Sequence, residues 1–166
     1  MRHPQSHSPQ MVDLAKSYMT DFLSEGRTAL AETLFDEAIV HTDPIWDPGN
    51  ATVGVQGMRA YAEDLRAAFP DLALHIEELA SPDTRSLVVL YAGHATGLGP
   101  YHAAEKASHR FSALRGAAVM RFDPDRSRIV RIEVFRTPFV EDRLELQMRD
   151  SLGDGGFRQL RLNRLV

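Results

Sequence analysis

The chain has 166 residues, a formal charge of −4 drawn from interspersed acidic and basic side chains, and no cysteine. That length builds one core but not two, mixed charge without a basic run argues against a nucleic-acid partner, and the lack of cysteine removes disulfides, thiolate nucleophiles and Cys-based zinc or iron–sulfur sites. No window approaches the roughly 20 apolar residues of a membrane span, and the N-terminal MRHPQSHSPQ lacks a signal-peptide core, so a soluble, unexported protein with no membrane partner is expected, and a reducing cytoplasm fits it.

Residues 1–8 are polar and are expected to be disordered. Ser8-Pro9 reads as a cap and first helical residue, and Met11, Leu14, Ala15, Tyr18, Met19, Phe22 and Leu23 form an apolar stripe, which predicts a helix over about 9–24. Gly26 breaks it. A second short helix over about 28–35 is expected to turn Leu30, Leu34 and Phe35 inward before Ala38-Ile39-Val40 extends as a strand ending in His41-Thr42-Asp43-Pro44. Residues 44–52, PIWDPGNAT, read as a loop carrying Trp46. Gly54 and Gly57 open a third helix whose apolar face is Val55, Met58, Tyr61, Leu65 and Phe69, and Pro70 ends it by disfavouring the α region for Phe69.

From there the pattern is of strands, over about 72–80, 85–97, 109–123 and 127–137, joined by Ser81-Pro82-Asp83 and Asp123-Pro124-Asp125 turns and by a longer polar connection at 98–108. Three helices followed by a run of strands indicate an α+β domain, with helices on one face of a curved, mainly antiparallel sheet. The domain is expected over 9–140, and residues 141–166 form a C-terminal extension with a further helical pattern over 141–149 and a basic end.

The order of these elements, together with the His41-Thr-Asp-Pro strand end, the Phe69-Pro70-Asp71-Leu72 junction, the Gly93-His94-Ala95-Thr96-Gly97 strand end and a last strand opening Ile129-Val130, resembles the SnoaL-like polyketide cyclases of the nuclear transport factor 2-like superfamily. The resemblance implies a cone-shaped α+β barrel around an apolar pocket for a small hydrophobic, oxygenated ligand, in a homodimer, with neither metal nor organic cofactor. It also implies cofactor-independent acid/base chemistry, such as cyclisation or isomerisation, or a non-catalytic ligand-binding or interaction module. Three positions and one turn depart from the pattern. The family's Trp and its acidic base fall on Glu133 and Thr137, its strand-end His falls on Ala95 with His94 one place earlier, and its Pro-Pro-Thr-Gly turn is missing.

Aldol or isomerase chemistry requires a base in an apolar pocket and a donor for the developing enolate oxygen. Glu133, His41, Asp43 and His94 are the candidate catalytic residues. Strand alternation puts Arg131, Glu133, Phe135 and Thr137 on one face and Val130, Ile132, Val134 and Arg136 on the other. Either the Glu133 set lines the pocket, or Val130, Ile132 and Val134 face the core while Arg131 and Glu133 pair on the outer or dimer face. His41 and Asp43 lie two apart, on one face if the strand continues, where the carboxylate could orient the imidazole; the alternative is a solvated strand end with Asp43 capping a turn before Pro44. Tyr18, Trp46, Tyr61, Phe69, Tyr91, His109, Phe111, Phe135 and Thr137 are the candidate ligand-binding residues; a cavity wall and a plain core have the same apolar signature. The histidines lack metal-ligand spacing.

Overall fold

The computed structural model describes residues 8–47, 49–102 and 106–143. Helix α1, Pro9–Lys16, runs directly into a π-helical stretch, Ser17–Ser24. Ser8 does occupy the N-cap with Pro9 behind it, but its hydroxyl makes no capping bond. The wider π turn brings Tyr18, Met19, Phe22 and Leu23 all into the core. Ser24 ties this segment to the sheet: its hydroxyl donates to the Met19 carbonyl at 2.8 Å and accepts from the Leu74 amide at 2.9 Å.

The second helix is shorter than its sequence pattern suggests. A 3₁₀ turn, Thr28–Leu30, leads into α2, Ala31–Leu34, and strand β1 already begins at Phe35 and runs to Thr42. Phe35 is fully buried and pairs with Ile129, so tertiary packing overrides the local helical signal. At the end of the segment expected to be a loop, Thr52–Val53 forms a two-residue strand, β2, against Val40 and His41.

Helix α3, Gly54–Ala68, buries Met58, Tyr61, Ala62, Leu65 and Ala68 at helical spacing. It ends where Pro70 requires: Phe69 leaves the helix at φ −130° and ψ 70°. The carbonyl of Ala68 at the helix end accepts from the amides of Leu98 and Gly99, at 3.0 and 3.1 Å. Gly99 is needed for that approach, since a Cβ there would fall 1.9 Å from the Ala67 carbonyl oxygen. Asp71 completes the junction by accepting from the Thr96 amide at 2.7 Å.

Strands β3 (Ala73–Asp83), β4 (Ser86–Thr96), β5 (Phe111–Phe122) and β6 (Ile129–Arg136) fall close to the bounds read from the sequence. The six strands form one sheet in the order β2-β1-β6-β5-β4-β3, antiparallel except where β1 runs parallel to β6. Alternation along the central strands sends Leu87, Val89 and Tyr91 of β4, Leu114, Ala118 and Met120 of β5, and Ile132 and Val134 of β6 into one core with the helices. The expected α+β architecture, helices on one face of a curved sheet, is the one observed. Glu141 and Asp142, at the start of the expected C-terminal extension, are themselves buried. Residues 1–7 and the rest of the C-terminal extension, with most of its predicted helix, lie outside the described residues. Among the described residues no helix is long and apolar enough to cross a membrane.

Candidate functional site

Between the helices and the inner face of the sheet lies a cavity walled by Met19, Leu23, Leu65, Leu114, Val134 and Phe139, with Tyr18, Tyr61, Tyr91 and Arg136 as its polar members. The cavity volume is about 30 Å³, room for one or two waters. An aromatic ring would not fit it without a shift of the wall side chains. Tyr91 sits there because its partner across β4 and β5 is Gly116. A Cβ on Gly116 would stand 2.6 Å from the Tyr91 hydroxyl and 2.7 Å from the Phe135 carbonyl oxygen, so only glycine clears the ring.

The cavity's charge is concentrated at one end. Arg136, the last residue of β6, points inward with the Ile132 and Val134 set and donates from Nε to Asp43 Oδ2 at 2.7 Å and from Nη1 to Asp142 Oδ2 at 2.9 Å. Its guanidinium carbon lies 4.5 Å from the centre of the Phe139 ring. Asp43 Oδ1 accepts from the amides of Ile45 and Trp46, both at 3.1 Å, so this carboxylate caps the turn after β1 while it holds the arginine. Asp142 accepts from the Phe139 amide at 2.7 Å and from the Tyr101 hydroxyl. Burial opposes a charge on Arg136, but Asp43 and then Asp142 overcome it and raise its pKa, which keeps the guanidinium charged. Its Nη2 is buried with no partner among the described residues.

His41, near the end of β1, lies two residues before Asp43, which follows the strand; both are buried, and the His41 ring is 4.4 Å from that of Tyr61. Burial pushes its pKa down to about 4, with Asp43 opposing and Arg136 reinforcing the shift, so the imidazole is neutral at pH 7. Its Nε2 has no partner among the described residues. Burial likewise raises the hydroxyl pKa values of Tyr18, Tyr61 and Tyr91, which stay protonated donors. Trp46 packs edge-on to Tyr61 and Tyr101, with ring centres 5.4 and 5.2 Å away.

Of the residues singled out from sequence, the structure brings together His41, Asp43, Tyr18, Tyr61, Tyr91 and Trp46. Phe69 is fully buried and stacks on Phe139 as part of the core. The others lie elsewhere. Glu133 is on the outer face of β6, where it accepts from Arg131 Nε at 2.6 Å; the strand's inward set contains Ile132, Val134 and Arg136 instead. His94 is exposed, one pleat from buried Ala95, and stacks on Phe111, which is itself exposed. His109, Phe135 and Thr137 are exposed too, and the Thr137 hydroxyl accepts from the Arg115 amide at 3.1 Å. Asp43 spends its oxygens on two amides and Arg136 rather than on orienting His41.

Sequence reasoning missed Arg136, Tyr101 and Asp142. Arg136 shares the parity of Ile132 and Val134, and that alternation was the available signal for an inward arginine. Nothing local marks Asp142 or Tyr101, which reach the site from the turn after β6 and the connection after β4. Among the described residues no group of three or more His, Asp or Glu side chains is placed to hold a metal ion.

Solved structures with this fold include a candidate SnoaL-like polyketide cyclase from Jannaschia sp. CCS1, with TM-score 0.69 and 15% identity over 87% of this chain and 95% of that one. A candidate polyketide cyclase from Acidithiobacillus ferrooxidans has TM-score 0.65 and 23% identity over 95% and 99% of the two chains. A SnoaL-like polyketide cyclase from Agrobacterium tumefaciens str. C58 has TM-score 0.62 and 19% identity over 81% and 96%. No curated protein matches. The sequence profile of the SnoaL-like domain matches residues 15–132, more than half of the chain, and the chain therefore belongs to the SnoaL-like domain family.

Proposed function

We propose that the cavity binds a small, hydrophobic, oxygenated ligand of polyketide-like character and that His41 exchanges a proton with it, in cofactor-independent cyclisation or isomerisation. The observation that supports this is a neutral, buried imidazole with an unpartnered Nε2, packed against Tyr61, one of the three tyrosines that line the cavity together with Arg136 and apolar side chains. A neutral imidazole accepts a proton, and tyrosine hydroxyls donate to a ligand oxygen. A panel of aryl ketones and β-keto esters, offered to the wild type and to His41→Ala, tests the reading. Binding followed by mass spectrometry should show turnover by the wild type only. If none of the panel binds at millimolar concentration, the reading fails.

A non-catalytic ligand-binding module is the second reading. It is favoured by the outward placement of Glu133 and His94 and by an exposed Thr137 where the family's base is expected. Binding without turnover by wild type and variant alike would select it.

The outer sheet face supports a homodimer. Leu90, Ala117 and Phe135 are successive cross-strand partners, and Leu90 and Phe135 are 39% and 57% exposed. A sheet apolar on both faces needs its second face covered. Sedimentation should give a dimer for the wild type and a monomer for Phe135→Glu; a monomeric wild type at micromolar concentration refutes the assembly. A cytoplasmic setting accords with a cysteine-free chain.

A further inference from the structure

The described cavity holds one guanidinium between two carboxylates, with one of its nitrogens unused. Arg136 spends Nε on Asp43 and Nη1 on Asp142, its side chain is 5% exposed, it lines the cavity, and Nη2 is buried without a partner among the described residues. A buried donor left unpaired is destabilising, and a ligand oxygen placed against it would recover that cost. The formal charges decide what kind of oxygen. Two carboxylates and one guanidinium sum to −1, so a further anion would enter a region already negative and poorly screened. A carbonyl oxygen accepts a hydrogen bond without adding charge.

We propose that Arg136 Nη2 is the carbonyl-binding donor of this cavity, and that the Asp43–Arg136–Asp142 cluster selects uncharged ligands bearing a ketone or ester oxygen over carboxylates of the same shape. The inference rests on the reading of the cavity as a ligand site. It is independent of whether that site is catalytic.

Acetophenone and benzoate form a suitable probe pair, similar in size and differing in charge. Titrated into the wild-type protein and followed by Trp46 fluorescence and by NMR, acetophenone should bind and benzoate should bind at least about tenfold more weakly, a difference of about 1.4 kcal/mol. Infrared spectroscopy of bound, carbonyl-labelled acetophenone should show its stretch below the value in hexane. In the double variant Asp43→Asn/Arg136→Met, which keeps the cluster at −1 and removes the guanidinium, the stretch should return towards the hexane value. If that variant does not fold, the combined Tyr18→Phe/Tyr61→Phe/Tyr91→Phe variant, which removes the rival donors, should retain the lowered stretch. Loss of the shift there, persistence of it without Arg136, or equal affinity for benzoate would overturn the inference while leaving a ligand cavity in place. Failure of acetophenone to bind the wild type would overturn this inference, and the ligand reading falls with it only if the aryl ketone and β-keto ester panel also fails to bind.

Discussion

Arg136 Nε stands 2.7 Å from Asp43 Oδ2 with the two side chains 5% and 2% exposed, which joins the end of β6 to the end of β1 at the polar end of the cavity. These strands run parallel and are 93 residues apart in sequence at this contact. The pair is a structural element of the site as well as its electrostatic centre, because the same carboxylate caps the turn that carries Trp46.

Removing one partner of a buried ion pair leaves the other charge uncompensated and costs about 3–5 kcal/mol. Asp43→Asn preserves the turn-capping oxygen, and Asp142 still faces the arginine, so the low end, about 3 kcal/mol, is expected. Urea unfolding measures it. A midpoint equal to that of the wild type would contradict the buried pairing.

Gly116→Ala forces a Cβ against the Tyr91 hydroxyl and the Phe135 backbone. Overpacking of this kind costs about 1–3 kcal/mol. In a Tyr91→Leu background the same substitution should cost less, since part of the clash is with the ring. Strict additivity across the four proteins of this cycle would show that Tyr91 does not occupy the space above Gly116.

His41 links stability to pH in a stated direction. Its folded pKa is lowered to about 4 from 6.5, so the folded state binds fewer protons than the unfolded chain between those values. The associated stability is fully present above pH 6.5 and is lost as pH falls towards 4. Between pH 7 and pH 5 the loss should be about 2 kcal/mol. His41→Gln should flatten that part of the profile, and an unchanged slope in the variant would assign the dependence to other groups.

Glu133→Gln should change stability by no more than about 0.5 kcal/mol, because it removes only a partly exposed pair with Arg131 on the outer face. Acetophenone affinity should also be unchanged. A substantial loss of binding would place Glu133 at the cavity after all.

Much of the fold was legible because it depends on short-range chemistry. Pro70 ends α3 through the conformation it imposes on Phe69, and the strand bounds follow from alternation and Asp-rich turns such as Asp123, which accepts from the Ser127 amide at 2.6 Å. The early start of β1 was not legible, since Phe35 is drawn into a strand by Ile129 and the surrounding core. The candidate site was half legible. Tyr18, Tyr61 and Tyr91 stand on the apolar stripes of their elements, so periodicity finds them, whereas Asp142 joins only when the turn after β6 folds back on Arg136.

The sequence by itself determined the family, the α+β order of elements and the end of the third helix, all consequences of local conformation and periodicity. Only the tertiary structure decided which face of β6 looks inward. Alternation defines two faces but cannot rank them; burial of Ile132 and Val134 against the helices does, and it carries Arg136 into the cavity and Glu133 out to the surface.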